Sequence, residues 1–74
     1  MSHVYIEPRP SVRKEEIAIT YYDIEYDNNK PVTNLRYKTQ KEAIDVARKL
    51  GFTPLVARVR ITNKRNPEHW RFAD

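Results

Sequence analysis

The sequence predicts a two-layer α+β domain of order strand–strand–strand–helix–strand, an antiparallel sheet with one helix packed on one face. Three observations carry this. Segments 3–7, 17–27, 32–38 and 54–61 alternate in polarity or are dense in β-branched and aromatic residues. Residues 40–50 switch to helical spacing between a capping box and the only glycine of the chain. A length of 74 residues leaves room for one domain, with a core over about 3–62 and a tail, 63–74, expected to pack back on it.

The first strand, "HVYIE", puts Val4 and Ile6 on one face and Tyr5 on the other. "PRPSVRKEE" follows, where Pro8 and Pro10 oppose regular structure. The long segment "IAITYYDIEYD" and the returning "VTNLRYK" flank the turn "NNKP". Pairing Asp27 with Val32 places Ile24 opposite Leu35 and Tyr22 opposite Tyr37. One face then gathers Tyr22, Ile24, Tyr26, Leu35 and Tyr37, and the other Tyr21, Asp23, Glu25, Arg36 and Lys38. Thr39 and Glu42 form the capping box; Ala43, Ile44, Val46, Ala47 and Leu50 make the apolar stripe, and Asp45 and Lys49 stand as an i,i+4 pair. Gly51 ends the helix, and Phe52 folds onto its last turn. In the last predicted strand Leu55, Ala57, Val59 and Ile61 face the core, while Val56, Arg58 and Arg60 face away. Asn66-Pro67 suits the start of one helical turn.

A chain this short buries about 60% of its unfolded surface. Without cysteine, neither disulfides nor thiolate-bound metal can reinforce it, so packing, caps and self-association remain. Mean hydropathy is −0.85, yet the apolar residues are periodic, which indicates a folded chain rather than a disordered one. No apolar run approaches the roughly eighteen residues of a membrane span. The N-terminus has no signal-peptide hydrophobic region, so the expected setting is cytoplasmic, with no membrane partner. Net charge is +4 and the isoelectric point near 9.6. Residues 15–31 sum to −4, whereas 1–14 carry +2 and 32–50 and 51–74 carry +3 each. That bias suits a polyanionic partner.

Enzyme chemistry finds little support. Asp23, Glu25 and Asp27 share a strand face, but Arg36 and Lys38 are expected across from them as charge partners. His3 and His69 lie near opposite ends of the chain, and no cluster has metal-ligand spacing. A single glycine excludes Gly-rich phosphate loops, and Ser2 and Ser11 are the only serines. The expectation is a protein that is not an enzyme and takes no cofactor, no metal and no small-molecule substrate.

The sheet face away from the helix is expected to carry Tyr21, Arg36, Lys38, Arg58 and Arg60, extended from the tail by Lys64, Arg65, His69, Trp70 and Arg71. Basic groups with an aromatic between them grip phosphates and stack on bases; equally, such long side chains keep an exposed face hydrated. Trp70 and Phe72 read either as a plug for the thin core or as an anchor for a partner.

The run "YYDIEYDNNKPVTNLRYKTQKEAIDVARKL" resembles the N-terminal arm-type, AP2-like domains of phage and transposon integrases. The match consists of an aromatic strand (21–27), a polar turn (28–31), a basic strand (32–38), and a helix opened by Thr39 with Glu42-Ala43. The resemblance implies double-stranded DNA binding with the sheet in the major groove and Arg36 and Lys38 as readers. It spans about thirty residues, the turn lacks the usual glycine, and the strand after the helix is additional. The chain is similar also to small bacterial and phage proteins with a hairpin and a T-Q-x-E-A helix, a likeness that implies no activity. Two readings therefore stand: binding of DNA or RNA through the open sheet face, or a phage-type or mobile-element accessory protein that binds itself or a host protein.

Overall fold

The computed structural model describes residues 2–9, 18–59 and 62–73. Its architecture is α+β: a four-stranded sheet with one helix laid on one face. The strands are β1 (His3–Arg9), β2 (Tyr21–Glu25), β3 (Thr53–Ala57) and β4 (Trp70–Phe72), and the helix α1 (Gln40–Lys49) lies between β2 and β3 in sequence. Sheet order is β2-β1-β3-β4. β2 runs antiparallel to β1, with Ile6 opposite Ile24 and Glu7 opposite Asp23. β3 is parallel to β1, with Tyr5 opposite Leu55, and β4 is antiparallel to β3, with Ala57 opposite Trp70. The sheet is thus mixed rather than wholly antiparallel. Its central pair is parallel because α1 carries the chain from the β2 edge over β1 to the far side.

β1 continues through Pro8, contrary to the expected break. Tyr22, the partner of Pro8, directs both its N–H and its C=O to Tyr37, at 2.7 and 2.9 Å. Among the described residues, pairing of β1 with β3 runs from His3 to Ile6. The missing proline donor therefore falls where Tyr22 does not need it.

The predicted strand 32–38 does not form. The returning chain touches β2 at two points only, Glu25 with Pro31 and Tyr22 with Tyr37, with three more residues on the returning side than on β2. Pro31 offers no ladder donor. The hydroxyl of Thr33 accepts from the amide of Leu35 at 3.3 Å, a local bond that competes with pairing. Of the expected pairs, Tyr22 with Tyr37 is present, whereas Leu35 stands 64% exposed instead of covering Ile24. Tyr26 is likewise outside the core.

α1 follows from its caps. Thr39 accepts from the amide of Glu42 at 3.1 Å, and Gly51 takes φ +88. Phe52 then returns its amide to the carbonyl of Ala47 at 3.0 Å. Asp45 pairs with Lys41, at 2.9 Å, rather than with Lys49. Ala43 and Ala47, both fully buried, let the helix approach a core of Val4, Ile6, Ile24, Tyr37 and Val56. β3 is turned over relative to expectation: Val56 is the buried, helix-facing residue, and Leu55 and Ala57 lie on the opposite face. Parallel pairing with β1 enforces this, since Val56 aligns with Ile6. Ile61 and Arg60 of the predicted strand, Ile17 of the predicted second strand, and the segment 10–16 lie outside the described residues.

A Cβ on Gly51 would meet nothing within 4 Å, so the whole cost of Gly51→Ala is backbone strain at positive φ. Urea denaturation is expected to show a loss of about 1 kcal/mol for Gly51→Ala and a smaller loss for Gly51→Asn, since asparagine tolerates the left-handed region.

Candidate functional site

The sheet face away from α1 is covered by the chain's own tail. Tyr5 and Trp70 meet edge to face there, with ring centroids 4.7 Å apart. The indole N–H of Trp70 donates to the carbonyl of Asn63 at 3.0 Å, and the phenol of Tyr5 donates to the carbonyl of Lys64 at 3.4 Å. The tail is shaped locally by a short 3-10 turn, Pro67–His69, capped by the Asn66 side chain on the amide of Glu68. The amide of Asn63 also donates to Nδ1 of His69 at 3.0 Å. Trp70 is buried against the sheet in this way, whereas Phe72 is 60% exposed.

Beneath the tail sits a network of five charges. Glu7 on β1 and Asp23 and Glu25 on β2 share this face because their positions have the same strand parity. Arg9 donates from Nε to Asp23 at 3.0 Å and from Nη2 to Glu25, and its Nη1 stands 4.0 Å from Glu7. Lys64 donates to Glu7, to Glu25 at 2.8 Å and to the side-chain oxygen of Asn29 at 2.8 Å. Its ammonium also lies 5.4 Å from the centre of the Tyr5 ring. Thr62 adds a hydroxyl donor to Glu7 at 3.4 Å. Among the described residues no buried side-chain nitrogen or oxygen lacks a partner. Burial alone would lower the pKa of Arg9, but the hydrogen bond to Asp23 and the charges of Glu25 and Glu7 raise it overall. The phenol of Tyr5 is held above its ordinary value, first by burial, then by the field of Asp27, with Glu7 adding and Lys64 opposing.

This arrangement corrects the expected charge pairing. The carboxylate row is matched by Arg9 and Lys64 rather than by Arg36 and Lys38. Arg36 instead lies over the ring of Tyr21, 4.6 Å from its centre. Lys38 and Arg58 are exposed; Arg58 stands one residue beyond β3, its amide bonded to the carbonyl of His69 at 2.7 Å. Lys64 is consumed in the network with its side chain 11% exposed, Arg65 is exposed at the rim of the adjoining cleft, and Arg60 lies outside the described residues. The predicted basic set is therefore divided: Tyr21 and Arg36 meet, while Lys64 is enclosed among carboxylates.

A polar cleft of about 780 Å³ lies alongside the network, between the turn at Asp27–Asn29 and the tail at Thr62–Arg65. A second, of about 400 Å³, opens at the start of β1, lined by Ser2, His3, Tyr26, Asp27 and Phe52. Glu7, Arg9 and this second group were not legible as sites in the sequence, because their partners lie in segments far apart along the chain. Among the described residues no group of three or more acidic, histidine or cysteine side chains is placed to hold a metal. No helix among them is long and apolar enough to cross a membrane.

Comparison with protein families, with curated proteins and with solved structures finds no match for this chain.

Removing Lys64 leaves Glu7 and Glu25 facing each other with one fewer cation. Lys64→Ala is expected to cost about 3 kcal/mol in denaturant unfolding, and Lys64→Arg, which keeps the charge, much less. At high pH the sign follows from the raised Tyr5 pKa. The neutral phenol is favoured in the folded state, so this contribution to stability is whole below the ordinary tyrosine value of about 10 and is lost as pH rises through the folded-state value. Tyr5→Phe is expected to remove that alkaline component from the pH dependence of the melting temperature.

Proposed function

We propose that the chain is a non-enzymatic binding domain whose partner is nucleic acid. The observation that carries this reading is the internal neutralisation of Glu7, Asp23 and Glu25. Those three carboxylates would repel phosphate if they faced solvent; paired with Arg9 and Lys64, they form a unit of net charge −1. Against a total of +4, the remainder of the chain carries +5. Exposed cations stand around the domain: Arg36 and Lys38 after the turn, Arg58 and Arg65 by the tail, and Arg71 on β4.

Arg36 over Tyr21 supplies the element that favours nucleic acid over a generic polyanion. A guanidinium held over a phenol ring offers a planar cation on which a base can stack while neighbouring cations meet phosphates. Arg36 and Lys38 are also the readers that the arm-type likeness implies. Phosphate contacts dominate affinity in such domains, so binding depends strongly on salt.

A second reading has one observation behind it. β4 is a three-residue edge strand carrying Phe72, 60% exposed, an apolar group suited to a protein partner or a second copy.

Fluorescence anisotropy with labelled duplex DNA, single-stranded DNA and RNA tests the first reading. Affinity is expected to fall linearly on log–log axes as salt rises, and Lys38→Ala to lower the slope by about one. Arg36→Ala is expected to weaken single-strand binding more than Arg36→Lys, which keeps charge without planarity. No binding at low salt, or binding indifferent to salt, overturns it. Sedimentation velocity on wild type and Phe72→Ser tests the second reading; a monomer at all concentrations removes self-association.

A further inference from the structure

The geometry points to a binding site for a methylated ammonium group in the cleft at the start of β1, an inference independent of the nucleic-acid reading. Tyr26 and Phe52 stand with ring planes at 81° and centroids 5.9 Å apart, two walls meeting almost at a right angle. His3 also lines the cleft, its ring edge-to-face with Tyr5 at 5.4 Å. Asp27 lines this cleft as well as the first, and among the described residues its carboxylate makes no hydrogen bond or ion pair. The other described carboxylates on the sheet, Glu7, Asp23 and Glu25, are all matched by Arg9 or Lys64. An electron-rich aromatic corner beside one unmatched carboxylate is the chemistry that selects a soft, weakly hydrated cation.

The walls are set before any ligand arrives. The Tyr26 amide donates to the carbonyl of Lys30 at 2.9 Å, and the carbonyl of Tyr26 accepts from Asn29 at 3.0 Å. Phe52 is tied to Ala47 and follows the left-handed Gly51, and Ser2 accepts from the amide of Thr53 at 3.0 Å. Little ordering is therefore required on binding. Tyr26 remains 38% exposed, so its ring is accessible from the cleft. A volume of about 400 Å³ is ample for a trimethylammonium head and the first methylenes of its stem. A bare ammonium keeps its hydration and a guanidinium seeks two parallel acceptors, whereas one carboxylate against aromatic walls matches the methylated cation best.

Titration followed by NMR, with tetramethylammonium, choline and a trimethyllysine peptide as probes and lysine and ammonium as comparators, tests the assignment. The expected result is saturable movement of the Tyr26 and Phe52 ring signals and upfield displacement of the ligand methyls, with a Kd on the order of 1 mM for the small cations. Lysine and ammonium should bind at least about tenfold more weakly. Tyr26→Phe should retain binding, while Tyr26→Leu and Asp27→Asn should each lose about tenfold or more, with the remaining spectrum showing the fold intact. Tighter binding of the peptide than of choline names a methylated protein side chain as the source; equal binding names the free cation. Absence of saturation, equal response to ammonium, or unchanged binding in Tyr26→Leu overturns the proposal.

Discussion

The ammonium of Lys64, held between Glu7 and Glu25, is the interaction on which the rest of the molecule depends. A single helix can cover only one face of a four-stranded sheet, and a short chain has few residues left for the other. The tail performs that duty here. Lys64 reaches through the tail to the central strand, and Trp70 follows it onto Tyr5, so β1 becomes buried on both faces. An ion pair of this kind contributes less through its Coulomb energy than through the penalty for breaking it, because its partners are enclosed. Lys64 meets two carboxylates and the Asn29 side chain at once, and this three-way contact fixes where the tail lies.

The same network decides the character of the surface. Its members lie on three segments that meet only in the folded state: Glu7 and Arg9 on β1, Asp23 and Glu25 on β2, and Lys64 on the tail. By matching three carboxylates with two cations, it leaves the other described residues with a net charge of +5. Exposed arginines and lysines are therefore not concentrated on one sheet face but spread around a neutralised centre. The Tyr21–Arg36 stack lies toward one end of β2, opposite Arg9, and the aromatic corner of Tyr26 and Phe52 lies at the other, so the two candidate surfaces do not compete for the same residues.

Much of the fold was readable because its signals are local. The capping box at Thr39, the helical stripe through Ala43 and Ala47, and Gly51 at positive φ each depend on residues within a few positions of one another. The strand character of 3–7 and 21–25 was legible for the same reason. Reading failed where a distant partner chose the outcome. Residues 32–38 have strand-like alternation, yet Pro31 and the Thr33 turn leave them touching β2 at only two points. β3 alternates equally well with either face inward; only the alignment of Val56 with Ile6 selects one. The candidate site was partly legible too. Tyr21 and Arg36 belong to one expected face and do meet, though not through the expected register, whereas Lys64, expected to extend that basic face, is enclosed among carboxylates.

Composition and periodicity by themselves determined a small α+β domain with one capped helix, no cysteine chemistry and a basic balance, because those properties are sums or short-range patterns along the chain. The tertiary structure alone decided the parallel central pair, the inward face of β3, the tail laid over the sheet, and which charges remain in solvent. Each of these is a choice between alternatives nearly equal in local propensity, settled by contacts between residues tens of positions apart.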